Sequence, residues 1–228
     1  MTDYIWFTRI NLTTFRSQFN GLAYKEYGHD WGGEHDGGVA NGDIFLPIAS
    51  QRQEKCMRGI TLEREEMTEK SYVFDPSKFN KQKDMLYIQH QIAARGKFAE
   101  LLQQHDLGVG GELVPYTIYE KDRVTPLPDQ YYLFNFGERK DCFVPEESKN
   151  LDILRKKERD GEDLWKASLL GVDDDLAFTT AALEGADIWF DKHIHSHFFM
   201  SDRLVKAIKA AKLGIPFKFV RCRILPIH

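Results

Sequence analysis

FFMSDRLVKAIKAAKLGIPFKFVRCRI, residues 198–224, holds a short aromatic run, a helix start, a helix stop and a closing basic strand. Ser201 offers an oxygen to a free first-turn amide, and Asp202 sets negative charge at the positive end of the helix dipole, so a helix begins here. Leu204, Val205, Ile208 and Ala211 recur at the three- and four-residue spacing of one helical face, with Lys206, Lys209 and Lys212 on the other. Gly214 suits the left-handed conformation that ends helices, and Pro216 prevents continuation. Beyond the stop, Phe217 and Phe219 share one strand face, while Val220, Cys222 and Ile224 take up the apolar alternation one residue out of phase. A bulge near Phe219 and Val220 would return the apolar set to one face and turn Lys218, Arg221 and Arg223 outward. Such a basic row is common on a solvated or edge strand and needs no bound anion to explain it.

Working outward, the 228-residue chain is 42% hydrophobic and can bury a substantial core, as one large domain or two small lobes. No apolar run approaches the roughly 20 residues that span a bilayer, and Met1-Thr2-Asp3 lacks a basic region followed by an apolar signal core. Cytoplasmic residence is the expectation. Cys56, Cys142 and Cys222 are odd in number and far apart, which supports neither a disulfide framework nor a zinc knuckle and predicts buried free thiols. The 31 basic residues against 35 acidic ones give a net charge of −4, which argues against a nucleic-acid-holding protein and suits a basic protein partner.

Tyr4 to Phe7 reads as a strand, and the glycine-rich stretch from Gly28 to Gly38 as a long irregular loop. From Arg52 to Lys70 mixed charges fit either a surface helix or a strand followed by one. Asp75-Pro76-Ser77 is a turn signal and the expected boundary between an N-terminal lobe, residues 1–78, and an α+β domain, residues 79–228. Lys97 to Leu102 reads as a helix ending near Gly108, and the apolar stretch Leu113 to Tyr119 follows it. The same order of helix, glycine and strand recurs from Ser201 to Ile224, which predicts a pair of similar units packed in one α+β domain. Pro115 places its strand at an edge or at its own beginning. The expected fold is α+β, a mixed or antiparallel sheet with a few packed helices.

Tyr131 to Phe136 is an aromatic-rich strand leading into Asp141-Cys142 and then Ser148, and Asp187-Ile188-Trp189-Phe190 precedes the aromatic run and final helix. With these residues the chain, from roughly residue 85 to 228, resembles the bacterial polymorphic-toxin immunity proteins of family eleven. The resemblance implies a non-enzymatic protein, without cofactor, that binds and neutralises a cognate toxin domain encoded nearby, in interbacterial competition. Its motifs are packing and turn residues rather than reactive groups. The segment His193-Ile194-His195-Ser196-His197 has no place in the family pattern.

Several constellations bear on chemistry. His29, Asp30, Glu34, His35 and Asp36, and separately Asp191, His193, His195 and His197, have the ligand types of a zinc, manganese or iron site, and a metal-dependent hydrolase is the alternative reading they support. Against it, the first cluster lies on a glycine-rich loop without helical two-histidine spacing, and the second suits an exposed turn before a helix. No metal site is expected. No Gly-x-Ser-x-Gly elbow occurs, Cys142 has no local histidine partner, and Gly108 to Gly111 follows a helix rather than opening one. Asp173, Asp174 and Asp175 form the most concentrated acidic run, with Glu146 and Glu147 a weaker pair. These five carboxylates are the candidate partner-binding residues, set to meet lysines and arginines of a nuclease-like toxin.

Overall fold

A computed structural model of the chain describes residues 4–8, 21–29, 31, 42–79, 84–155, 163–168, 170–213 and 217–226. In chain order the elements are β1 (Ile5–Thr8), β2 (Leu22–Glu26), α1 (Gly42–Met57), β3 (Thr68–Val73), β4 (Met85–Ile88), β5 (Gln91–Arg95), α2 (Gly96–Gln103), β6 (Glu112–Tyr116), β7 (Ile118–Tyr119) and β8 (Tyr131–Asn135). There follow β9 (Arg139–Lys140), β10 (Leu151–Arg155), β11 (Leu164–Ala167), β12 (Ala177–Phe178), β13 (Ile188–Asp191), β14 (Phe198–Ser201), α3 (Asp202–Ala210) and β15 (Phe219–Ile224). The fold is α+β and mostly sheet.

Two units repeat one plan, as the recurring order of helix, glycine and strand predicts. In the first, the antiparallel hairpin β4–β5 runs straight into α2 and on to β6, and β8 lies between β5 and β6, antiparallel to both. In the second, the hairpin β13–β14 runs straight into α3 and on to β15, with β1 in the middle, antiparallel to β14 and β15. The parallel strand-helix-strand crossover is thus split by an inserted strand in each case. The complete sheets are β4-β5-β8-β6 and β12-β15-β1-β14-β13-β9. Pro115 lies in β6, an edge strand, as expected of a residue without a ladder donor.

α2 and α3 pack together between the two sheets. Phe98 and Leu102 of α2 meet Leu204, Val205 and Ile208 of α3 in a core that also takes Ile92, Phe134, Phe190 and Phe198 from the sheets. A second core on the far face of the four-stranded sheet joins Leu86, Ala93 and Leu133 to Leu22, Val73, Cys56 and Leu62. A third on the far face of the six-stranded sheet holds Ile5, Phe7, Phe199, Val220 and Cys222. The four-stranded and six-stranded sheets are therefore buried on both faces.

This layering corrects one expectation. β15 pairs with β1 in unbroken register, Ile5 with Cys222 through Thr8 with Phe219, and has no bulge. Phe217 and Phe219 pack against the central core, whereas Val220 and Cys222 enter the third. A strand buried on both faces needs no extra residue to bring its apolar side chains into phase. Arg221 and Arg223 consequently share the face of Phe219, and Arg221 lies over the Tyr4 ring at 5.2 Å.

The helix start follows the expectation: Leu204 N–H donates to Ser201 Oγ at 3.1 Å, and Asp202 Oδ1 accepts from the Trp6 indole at 3.0 Å, tying α3 to β1. At the other end Lys212 occupies the left-handed region with φ 50°; Gly214 and Pro216 lie outside the described residues. The region from Arg52 to Lys70 is the end of α1, a short 3-10 turn and β3, a helix followed by a strand. Asp75 makes its turn by accepting from Ser77 N at 3.1 Å and Ser77 Oγ at 2.6 Å. Segments on either side of that turn share sheets and cores: β3 pairs with β7, and β1 sits inside the C-terminal sheet. Arg52 and Glu26, both buried, form an ion pair that fixes α1 to β2. Most of the glycine-rich stretch lies outside the described residues.

Candidate partner-binding surface

The five candidate carboxylates come together at one end of the six-stranded sheet, beside β15. Asp174 holds Arg221 through Nε at 3.1 Å and Nη2 at 2.5 Å, and Asp173 Oδ1 accepts from Arg221 N–H at 2.9 Å. Arg223 reaches the Glu147 carbonyl and its carboxylate, the latter at 3.3 Å. Asp175 differs from its neighbours: it is buried, and its Oδ2 accepts from Asn150 Nδ2 and Val172 N–H, both at 2.8 Å. Its carboxylate shapes the turn from within. Asp174 at φ 67° and Asn150 at φ 54° take the left-handed conformation that short polar side chains tolerate. Glu146 and Asp173 are exposed.

Asp141-Cys142 and Ser148 prove structural. Asp191, fully buried at the end of β13, accepts from Cys142 N–H at 2.9 Å, Phe143 N–H at 3.1 Å and His193 N–H at 3.0 Å. Burial raises its pKa despite these bonds. Burial, reinforced by the Asp191 charge, pushes the Cys142 thiol up, and burial pushes Cys56 up to about 12, so neither thiol is a ready nucleophile. Ser148 Oγ donates to Val144 O at 2.8 Å and accepts from Ala177 N–H at 2.9 Å, closing the connection between β9 and β10.

The second histidine cluster disperses. Residues 192–197 form a turn rather than a strand, so alternate histidines do not share a face. His193 Nε2 meets Asp141 at 3.1 Å, His195 Nε2 lies 3.8 Å from Glu54 on α1, and His197 Nδ1 faces Thr8 O of β1 at 3.3 Å. Burial lowers the His197 pKa to about 4 and also lowers that of His195 against the pull of Glu54. Ser196 Oγ lies 2.6 Å from His195 Nδ1, giving a serine-histidine-glutamate row, but Ser196 is 1% exposed and holds the turn through its N–H to Met57 O at 2.7 Å. Of the first cluster only His29 is described; Asp30, Glu34, His35 and Asp36 lie outside. Among the described residues no group of three or more His, Cys, Asp or Glu is set to hold a metal ion.

A cavity of about 360 Å³ opens at the first turn of α3. Its two buried carboxylates are bonded within the chain, Asp187 to Arg203 and Ser201, Asp202 to Trp6 and Lys206. Burial raises the Asp187 pKa, but the bonds from Arg203 and Ser201 outweigh it and leave the group below the usual carboxylate range.

The surface feature that charge patterns miss is apolar. Seven large hydrophobic side chains are exposed among the described residues, and four of them, Ile153, Leu154, Leu170 and Val172, lie on the β10–β11 hairpin and the turn leading to Asp173. Ser168 N–H bonds Asn150 O at 3.0 Å, and Asn150 bonds Asp175, so hairpin, turn and acidic residues form one continuous end of the molecule. The apolar residues Leu151, Ile153 and Leu154 inside the charged stretch from Lys149 to Asp163 were the available signal.

No helix among the described residues is long and apolar enough to cross a membrane. No functionally curated protein matches the chain. The model of the immunity protein family Imm11 matches residues 43–222, starting at α1 and taking in β3, upstream of the residues that carry the resemblance in the sequence. That match spans well over half of the chain, together with both split strand-helix-strand units except β1 and the last two residues of β15, and the chain therefore belongs to the Imm11 immunity protein family.

Proposed function

We propose that this chain is a non-enzymatic immunity protein that binds the toxin domain encoded beside its gene and neutralises it in the bacterial cytoplasm. The family match over residues 43–222 carries this reading. The end of the molecule built by β10, β11, the 170–175 turn and the 145–147 turn supports it, because exposed apolar side chains rimmed by carboxylates suit a specific protein contact better than a small substrate. Within that end Glu146 and Asp173 face the toxin directly. Asp174 and Glu147 do so by sharing or exchanging Arg221 and Arg223, and Asp175 acts from inside by holding the turn.

Coexpression with the neighbouring toxin gene tests the proposal. Cells making both proteins survive and the pair copurifies at one to one; cell death with both proteins soluble would sink it. Glu146→Lys with Asp173→Lys slows association roughly 10-fold at low salt and less at high salt, as expected for rim charges that steer encounter.

A further inference from the structure

We propose that the histidine turn, residues 192–197, is an acid-released clamp: it holds the β10–β11 hairpin to the body of the protein, and protons taken up by its histidines free the hairpin while the two large sheets stay folded. The hairpin is a two-stranded sheet of its own, and such a sheet is marginal in water without something to pack on. Of its described side chains only Leu164 and Ala167 are buried. The turn is what fastens it. Ile194 bridges Trp165 in parallel, with Trp165 N–H donating to His193 O and His195 N–H donating to Trp165 O, both at 2.8 Å. The three histidines meet this side of the hairpin in step: His193 Nδ1 lies 3.3 Å from Asp163 O, His195 bonds Trp165 through its backbone, and the Ala167 backbone lies beside the His197 ring. On the other side each ring faces a different part of the body, His193 the Asp141 carboxylate after β9, His195 Glu54 of α1, and His197 Thr8 O of β1. At its base the hairpin stays tied through Asn150 to Asp175 at 2.8 Å, which supplies a hinge.

The groups around the rings set the direction. His197 is fully buried, its ring centre 5.7 Å from that of Phe7 and edge-on to it, and the charges acting on it, Lys166 of β11 and His195, are cationic. His195 has Glu54 at 3.8 Å, but burial outweighs that carboxylate, and Lys166 and Arg58 oppose it. His193 differs: Asp141, shared with Lys192, lies 3.1 Å from its Nε2, and the buried Asp191 takes its N–H. A proton is thus costly on two of the three rings while the clamp is closed, and the cost disappears once those rings reach water. Clamped His197 titrates near 4 and a freed one at the ordinary 6.5, so the closed form is favoured in full above pH 6.5 and loses ground as the pH falls. The loss levels off near pH 4, after the closed-to-open ratio has dropped by up to about 300-fold. His195 shifts the balance in the same direction. On the immunity reading above, acid thereby disturbs the apolar end that carries Ile153 and Leu154, but release of the hairpin is measured on this protein alone.

The test measures amide hydrogen exchange of the full-length protein by NMR at pH 7 and pH 5, each rate divided by that of an unstructured amide at the same pH. Trp165 and His195 donate the two bonds of the clamp, and Phe199 of β14 and Ala93 of β5, in the interiors of the large sheets, serve as references. Protection of Trp165 and His195 should fall about 20-fold from pH 7 to pH 5 while the references hold. His197→Gln, which keeps an amide for Thr8 O, should abolish the fall. Equal loss at Phe199 and Ala93 would mean ordinary acid unfolding and overturns the clamp. Protection at Trp165 that is the same at both pH values overturns it too, as does a fall that persists in a folded His197→Gln variant. Should that variant fail to fold, the ring signals of the parent decide. A His197 ring that titrates together with the loss of protection at Trp165 upholds the clamp, and one that titrates while Trp165 stays protected overturns it.

Discussion

The two split strand-helix-strand units share one plan and differ in where the middle strand comes from. The first takes β8, which follows β6 within a short stretch of chain; the second takes β1, roughly two hundred residues before its partners β14 and β15. The first can close from local chain, while the second must wait for the N-terminus. β1 also lies outside residues 43–222, so the segment that completes the second sheet is not part of the family match. A central strand supplied from so far away pays a loop-closure cost that only its own burial offsets. Ile5 and Phe7 are fully buried, and Trp6 reaches α3 through Asp202.

Substitution in the two middle strands should separate the units most clearly. Phe7→Ala in β1 is expected to cost about 3–5 kcal/mol and Leu133→Ala in β8 about 2–5 kcal/mol, both read by urea denaturation. The informative difference is local. In Phe7→Ala the amides of β14 and β15 should lose hydrogen-exchange protection ahead of those of β5 and β6, and in Leu133→Ala the order should reverse. Equal loss across both sheets in each variant would show that they open as one cooperative unit and the distinction has no energetic content.

The hairpin connections differ too. β4 and β5 are joined by Gln89-His90, both at positive φ, whereas β13 and β14 are joined by residues 192–197 with three histidines. His197 has a folded-state pKa near 4, below the ordinary histidine value of 6.5, because it is buried. The unfolded chain therefore binds a proton that the folded chain refuses. Stability is unaffected above pH 6.5, falls as the pH drops, and levels off near pH 4 after losing about 3 kcal/mol to this group. His195 adds to the loss with the same sign, and the raised pKa of Asp191 works against it. His197→Gln should flatten the curve between pH 6.5 and 4. A slope unchanged by that substitution would place the acid sensitivity elsewhere.

What the sequence discloses follows the same divide. Local signals were legible: the Ser201 cap, the apolar stripe of α3, the Asp75 turn and the edge position of Pro115 all rest on neighbours within a few residues. Pairings were not, because nothing in Tyr4 to Phe7 names Phe199 or Val220 as its neighbour. The misplaced bulge at Phe219 has the same origin. One-sided burial is the simplest reading of a strand in isolation, and only the central core behind Phe219 reveals the second buried face. At the candidate site the acidic residues stood out by composition, yet Arg221 and Arg223, read as an outward row, hold Asp174 and Glu147. The exposed Ile153 and Leu154 of β10 left only their apolar character within a charged stretch as a sign, because exposure is a property of the assembled sheet.

The helix starts offer a smaller contrast. Ser201 caps α3 with its side chain, whereas Arg95, at the same place before α2, makes no cap bond and pairs with the half-exposed Asp129. Ser201→Ala should cost about 1–2 kcal/mol, since a cap and a bond to the buried Asp187 are lost together. Arg95→Ala should cost below about 1 kcal/mol, the range of surface ion pairs. Similar costs in chemical denaturation would mean that capping is not what distinguishes the helices.

The helix ends give the smallest effect and one of opposite sign. α2 stops with Gln104 in the right-handed region and reaches left-handed backbone only at Gly108, a residue with no Cβ to clash. α3 instead places Lys212 at φ 50°, where an L side chain crowds the following carbonyl at a cost of roughly 1 kcal/mol. Lys212 is exposed, so little packing is lost when its side chain is removed. Lys212→Gly should therefore raise stability by up to about 1 kcal/mol, less the extra backbone freedom that glycine gives the unfolded chain. A loss of stability instead would mean that the lysine charge, acting on the carbonyl end of the helix dipole, outweighs the strain of its backbone.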